Sequence, residues 1–331
     1  MFWLEYIWLD SDNNFRSKIK IVNTKPKSIT DVPLWNYDGS STGQATVNNS
    51  EVTLRPIKIY NDKENYDMVY ILCETLNQNY IRYESDYIPD NGSYISAKNI
   101  FDKYKNEEPM FGIEQEFFMY DENNSIPEIE LQKSGKYYCS NGLTCSRTRP
   151  YLEEVLEMCI KVGIKVTGLN YEVAPGQAEL QVCNIGIDAC TDLLMLRFFL
   201  VRIGEEYNVV PDFEPKPIKT ENGSGCHINF STKSLRECVN KEKRINMVND
   251  MCSKLEKTHD IFIETFYGEG NKERLSGTCE TSDYRHFSVG SGSRSVSIRP
   301  ESNYYYFEDR RPSSNINPYL ACSKLLYHIM K

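Results

Sequence analysis

The chain has 331 residues, 40% hydrophobic and 26% charged, enough to bury the core of one large domain or two ordinary ones. A formal net charge of −9 argues against general binding to nucleic acid or to an anionic membrane, though not against a local basic pocket. No apolar run reaches the length of a membrane span. The eleven cysteines lack CxxC or regular spacing, which points to reduced thiols in a cytoplasmic compartment.

The first stretch reads as β-rich. Met1–Asp10 is apolar, but it is interrupted by Glu5 and has no basic residues ahead of it, so a secretory signal is not expected. Leu4–Leu9, Lys18–Val22, Val52–Tyr60 and Met68–Leu76 are strand-like, rich in β-branched and aromatic residues. Trp35–Gly43 reads as a turn-rich loop. Helical spacing over Ile95–Tyr104, with Ser93 or Ser96 as cap, opens a second part. There, Phe111–Tyr120 is a predicted strand. Pro150–Val162 is a predicted helix that buries Leu152, Val155, Leu156, Cys159 and Ile160 and stops at Gly163. Gln177–Cys183 is a strand, Asp188–Tyr207 a long apolar helix, Cys226–Ser231 a strand, Thr232–Phe266 mostly helical and Ser293–Arg299 a strand. The mixture implies an α+β fold, with a small β-rich domain followed by a larger one and a boundary near 92–105.

Strand alternation then collects polar residues. Glu114 and Glu116 share one face of their strand. Gln177, Glu179 and Gln181 share another, and His227, Asn229 and Ser231 a third. Each strand alone fits a sheet with one wet face. Together these faces carry Glu, Gln, Asn and His but no Lys, and Glu172 stands one turn from Glu179. Carboxylates and an imidazole converging on one cavity would repel unless cations neutralise them, and this donor set suits Mg²⁺ or Mn²⁺. From Glu273 to Ser323 there are six Arg and no Lys. Surface ion pairs would explain that run, and so would a pocket for anions. Carboxylates for metal and arginines for anions together suit metal-assisted phosphoryl transfer. Asn222-Gly223-Ser224-Gly225 is not a Walker loop and by itself reads as an ordinary turn. His259, His286 and His328 lack ligand spacing, and Cys139, Cys226 and Cys279 read as small buried thiols.

These motifs resemble a known family. Trp35–Thr42, Phe111-Gly112-Ile113-Glu114-Gln115-Glu116, Asn170–Glu179, Lys216-Pro217-Ile218, Gly225–Ser231, Arg274-Leu275-Ser276-Gly277 and Phe307–Ser313 follow in the order found in eukaryotic-type (type II) glutamine synthetases. The resemblance implies a β-grasp-like N-terminal domain (1–92) and a catalytic domain (93–331) with a curved antiparallel sheet forming a funnel flanked by helices. It implies condensation of glutamate with ammonia at the expense of ATP through a γ-glutamyl phosphate. By position, Glu116, Glu172 and Glu179 would hold one Mg²⁺ or Mn²⁺, and Glu114, His227 and Glu308 the other. Gly223, Arg274, Arg294, Arg311 and Tyr138 would bind substrate, with Arg294 also catalytic. Asn229, Ser231, Arg299 and Tyr306 would contact ATP, and Asp38 and Glu280 would receive ammonium's protons. It further implies a homo-oligomer, a decamer of two pentameric rings, with sites shared between neighbours. Cys279 replaces the usual His before Glu280, and Asp121–Lys136 and Pro300–Tyr305 are short. Two other readings stay open: a ligase for a larger amine, and an inactive structural relative.

Overall fold

The structure is a computed structural model that describes residues 1–76, 93–126, 137–142 and 147–331. The boundary expected at 92 and most of the short Asp121–Lys136 segment lie outside the described residues.

Five strands form the first sheet: β1 (Phe2–Leu9), β2 (Phe15–Val22), β3 (Trp35–Asp38), β4 (Glu51–Asn61) and β5 (Met68–Leu76), in the order β2-β1-β5-β4-β3. The β1–β5 pair is parallel and the rest are antiparallel. β3 lies inside the predicted loop, because Trp35 and Tyr37 have rings to bury against Tyr6 and Trp8. One face of this sheet keeps its own core of Leu4, Tyr6, Trp8, Leu54, Val69 and Ile71. The other face gives Ile7, Tyr60, Tyr70 and Leu72 to the main core.

The second part runs α1 (Tyr94–Lys103), β6 (Met110–Asp121), α2 (Arg149–Val162), β7 (Val166–Tyr171), β8 (Gln177–Ile185), α3 (Asp188–Tyr207), β9 (Val209–Asp212), β10 (Cys226–Ser231) and α4 (Lys233–Arg236). It continues through α5 (Lys241–Glu256), α6 (His259–Ile261), α7 (Asn271–Arg274), β11 (Ile298–Pro300), β12 (Phe307–Asp309) and α8 (Pro318–Met330). Ser93 caps α1 by accepting from the Ser96 amide, and Gly163 ends α2 at φ 88°. On α2, Leu152, Val155 and Cys159 are buried as expected, but Ile160 is 55% exposed; Tyr151 and Val162 complete the stripe instead. The predicted strand over Ser293–Arg299 contracts to β11.

The antiparallel sheet runs β11-β12-β10-β6-β8-β7, with β9 pairing the far end of β6. Its core face carries an aromatic rail from Phe101 through Phe111 and Phe230 to Phe307, with centroids 5.2–5.7 Å apart. Each fully buried ring contributes about 2–3 kcal/mol. These rings fix the strand registers that align the polar face. The α+β expectation holds.

α3 joins the two sheets. Asp192 on α3 is 1% exposed. It accepts from Tyr60 Oη (2.9 Å) and Lys58 Nζ (2.9 Å) of β4, and from Asn184 Nδ2 (2.9 Å). Removing that carboxylate leaves the buried Tyr60 hydroxyl without its acceptor and takes one of three acceptors from half-buried Lys58, which keeps Asp188 (3.0 Å) and Thr191 (3.1 Å). Asp192→Ala should therefore lose about 2 kcal/mol of stability, chiefly from the hydroxyl left unsatisfied, read as a lower urea midpoint. An unchanged midpoint would show that the junction does not depend on this ion pair.

Candidate active site

Register brings the acidic residues together on the sheet face opposite the aromatic rail. His227 stands across from Glu114, Glu116 across from Glu179, and Glu308 beside both Asn229 and Arg299. Two groups result, Glu114–His227–Glu308 and Glu116–Glu172–Glu179, and within each the ligand atoms lie within 4.8 Å of one another. His227 Nδ1 is 3.4 Å from Glu114, 3.5 Å from Glu308 and 3.8 Å from Glu116, so the groups adjoin. These contacts are not ion pairs at neutrality. Burial, then the nearby Arg310 cation, lowers the His227 pKa to about 4, leaving a neutral imidazole able to ligate.

Secondary contacts aim the ligands. Asn170 Nδ2 donates to Glu172 (2.8 Å), Gln181 Nε2 to Glu179 (2.5 Å) and Asn229 Nδ2 to Glu114 (2.7 Å). The Gly225 amide donates to Glu116 Oε2 at 2.6 Å. Gly225 must lack a side chain: a Cβ there would lie 2.5 Å from His227 Nε2 and 3.1 Å from Arg274 Nη1. At Gly223 a Cβ would meet Arg274 Cγ at 2.6 Å. The turn reading of Asn222–Gly225 thus gives way to close packing.

The donor set fits divalent cations. Burial and then neighbouring Glu116 raise Glu172's pKa well above the carboxylate range, and burial with Glu114 and Glu116 does the same at Glu179. Glu308 Oε2 is buried and has no hydrogen-bond donor, although Arg299 Nη2 stands 2.6 Å away, out of line for one.

Arginines rim the acids. Arg274 is 2% exposed; it donates through Nη2 to the carbonyls of Arg310 (3.1 Å), Arg311 (2.7 Å) and Pro312 (3.0 Å), and through Nε to Asn271. Burial lowers its pKa to about 10 against the pull of Glu116, so it stays charged at neutrality. Arg294 is exposed, with its guanidinium 5.9 Å from the Tyr138 ring and close enough to Glu280 and Glu172 to feel their charge. Ser231 Oγ donates to Tyr305 O at 2.6 Å, and Tyr306 is 40% exposed beside it. Glu280 is exposed in the left-handed region, φ 61°.

Two expected residues lie elsewhere. Asp38 belongs to the first sheet, where it accepts from Ser40 and Ser41 of its own loop. Arg311 is corrected. It is 0% exposed and clasps Asp309 through Nε (2.9 Å) and Nη2 (2.6 Å) on the core side. Arg310 takes the site side, with Nη1 2.6 Å from Glu308 and Nη2 donating to Glu280 O at 3.3 Å. Sequence reasoning missed Arg310, yet the signal was present: in a strand Glu308 and Arg310 share one face, Asp309 and Arg311 the other. Cys226 is buried as expected, whereas Cys139 and Cys279 are exposed, both at φ 52°.

A curved antiparallel sheet with six clustered metal-type ligands and an arginine rim defines a cation-dependent site for anionic substrates. The glutamine synthetase catalytic domain matches residues 96–262. The chain is 39% identical to the glutamine synthetase of Agaricus bisporus, over 96% of this chain and 90% of that protein. It is also 39% identical to that of Debaryomyces hansenii, over 96% and 86%. A Plasmodium falciparum glutamine synthetase solved by cryo-electron microscopy shares the fold with a TM-score of 0.78 at 17% identity, covering all of this chain and 72% of that one. The chain belongs to the glutamine synthetase family.

The raised carboxylates make cation binding pH-dependent. Folding raises the Glu172 and Glu179 pKa values, so the metal-free fold holds protons that an unfolded chain would release, and it loses stability as pH rises through those values. A cation must displace the same protons, so affinity should climb with pH. Mn²⁺ titrations between about pH 6 and about pH 8 should tighten by up to about tenfold per unit for each proton displaced, with proton release seen as buffer-dependent heat. Flat affinity across that range would contradict protonated ligands.

Proposed function

We propose that the protein is an ATP-dependent, ADP-forming glutamate–ammonia ligase. The observation carrying this is the intact pair of ligand groups beside Arg274, Arg294 and Arg310. Loss of activity by drift would leave such an expensive cluster of buried carboxylates without selection, which disfavours an inactive relative. A ligase for a larger amine remains the alternative that a side-by-side assay with organic amines tests.

Glu116, Glu172 and Glu179 would hold one Mg²⁺ or Mn²⁺ and Glu114, His227 and Glu308 a second. Such cations supply charge neutralisation where carboxylate meets triphosphate. The chain's own residues do the rest. Gly223, Arg274 and Tyr138 orient glutamate, and Asn229, Ser231, Arg299 and Tyr306 hold the nucleotide. Glutamate's γ-carboxylate takes the terminal phosphoryl group of ATP, releasing ADP and giving γ-glutamyl phosphate. Arg294 and Arg310 offset the charge that builds there. Glu280 and Asp38 accept ammonium's proton, because only free ammonia can attack the acyl carbon and expel phosphate. The loop bearing Glu280 excludes water that would otherwise hydrolyse the intermediate.

We further take residues 1–92 as the N-terminal β-grasp-like domain and 93–331 as the catalytic domain. We take the assembly as a homo-oligomer, two pentameric rings with sites shared between neighbours, working in the cytoplasm. The ten described cysteines, all free, suit a reducing compartment. Among the described residues no helix is long and apolar enough to cross a membrane.

Purified protein given glutamate, ammonium, ATP and Mg²⁺ should form glutamine and ADP, stop with EDTA and resume with excess Mg²⁺ or Mn²⁺. Glutamine synthesis undiminished in EDTA would sink the metal assignment, and no synthesis at all would sink the ligase reading.

Sharing is tested by mixing. Asp38→Ala leaves the catalytic sheet whole and Glu114→Ala leaves the Asp38 loop whole, and each should be nearly inactive alone. Random co-assembly should rebuild about a quarter of the sites. Mixed oligomers as inactive as their parents, with subunit exchange demonstrated, would place Asp38 in its own chain's site.

A further inference from the structure

Beyond the site lies a chain of buried polar contacts that the proposed chemistry does not use. Asp309 and Tyr267 are both 0% exposed, and His259 is 5%. Asp309 Oδ1 accepts from the Arg311 amide (3.1 Å) and Nε (2.9 Å); its Oδ2 accepts from Arg311 Nη2 (2.6 Å) and Tyr267 Oη (2.6 Å). The rings of Phe262, Tyr267 and Phe287 box the guanidinium at 5.2–5.3 Å. Arg311 Nη1 then reaches His259 Nδ1 at 3.3 Å. A guanidinium only donates, so Nδ1 accepts and carries no proton. The proton therefore sits on Nε2, which donates to Tyr284 O at 2.8 Å.

Tyr284 closes the base of the loop that bears Glu280. Its amide donates to Leu275 O (3.0 Å), Ser276 bridges Asp283, and the Gly277 amide donates to Ser282 O (3.3 Å). At the tip, Cys279 and Glu280 both hold positive φ, and Arg310 donates to Glu280 O. The loop is thus held at its base through Arg311 and at its tip through Arg310, two consecutive residues that leave β12 on opposite faces.

We propose that the buried Asp309–Arg311–His259 chain is a positioning device that sets the Glu280 loop in register with Arg310. The inference rests on the ligase reading above. A buried ion pair adds little net stability over a well-packed apolar core, but it fixes geometry, because its hydrogen bonds are satisfied in one arrangement only. Here the arrangement ends on a single backbone carbonyl at the hinge of the loop. Losing that bond should leave metal and nucleotide binding alone, let the loop drift and admit water to the acyl phosphate. The step that leaks is hydrolysis: water attacks the acyl phosphate, returning glutamate and phosphate, so ADP forms without glutamine.

The test uses the full-length enzyme. His259→Phe keeps the ring and its contact with Phe287 but removes both nitrogen contacts; His259→Leu serves the same comparison if the Phe variant does not fold. His259→Gln keeps an acceptor and a donor at similar separation. The Phe variant should bind Mn²⁺ and ATP as wild type does, raise the ammonium KM by about tenfold and release several ADP per glutamine. The Gln variant should restore coupling. Wild-type coupling and ammonium KM in the Phe or Leu variant would overturn the positioning role. Equal loss of glutamate, ATP and ammonium affinity, unrescued by Gln, would overturn it as a merely structural defect. Absence of glutamine synthesis in wild type would instead overturn the ligase reading.

Discussion

The arrangement depends on carboxylate crowding. Five glutamates and one histidine place their ligand atoms in two adjoining groups on one sheet face, each group within 4.8 Å. Without cations, this charge is tolerated by holding protons on Glu172 and Glu179 and by drawing Arg274, Arg299 and Arg310 close. Neither device is free of cost: a buried guanidinium and a buried carboxylate both leave water. The surrounding structure absorbs that cost through backbone. Arg274 alone is met by three consecutive carbonyls, and Glu116 by the Gly225 amide. The bare glycines at 223 and 225 follow from the same need, since any Cβ would push Arg274 or His227 out of place.

Strand alternation divides the protein between chemistry and core. On β10, Ile228 and Phe230 enter the aromatic core while His227 and Asn229 face the carboxylate cluster. On β12, Phe307 and Asp309 turn inward and Glu308 outward. A slip of one residue would exchange the two sets. Register is therefore the quantity the core must protect, and the interlocked Phe111, Phe230 and Phe307 rings across three strands do so. Beneath them Arg197, buried, donates to Gln115 Oε1, Ser314 O and Ile316 O, tying α3 and the segment after β12 to the back of β6.

Much of this was legible in the sequence where one period ran long enough. Met68–Leu76, Cys226–Ser231 and the helix Asp188–Tyr207 have the bounds their patterns suggest. The acidic faces were visible because alternation assigns a face without knowledge of pairing. What alternation cannot give is the partner strand. β7, β9 and β12 are three to six residues long, too short for alternation to show; β9 and β12 are besides defined by β6 and β10, distant in sequence. α8 is apolar nearly all round, as a helix buried on several sides must be, and shows no stripe. Ile160 misled because a stripe drawn at helical spacing does not say where the neighbouring layer ends. Resemblance alone does not separate Arg310 from Arg311; strand alternation does, since Arg310 shares a face with Glu308 and Arg311 with Asp309.

The same reasoning bears on Asp38. Its sheet does not hang from a flexible joint: Lys58 and Tyr60 lock β4 to Asp192, and Tyr70 packs on Phe198 and Phe199 of α3. A sheet so fixed holds the Asp38 loop at a set place relative to the same chain's carboxylate cluster. Its carboxylate is exposed and spends its hydrogen bonds on Ser40 and Ser41, which stiffen the loop around it. Stiffness is of little use to a residue that must travel, and of much use to one presented to a neighbour. Under the proposed sharing, rigidity at the α3 junction becomes part of catalysis. It would hold the donated loop at a fixed offset from one chain, so that ring closure, rather than loop motion, would deliver Asp38 to the next chain's Glu280.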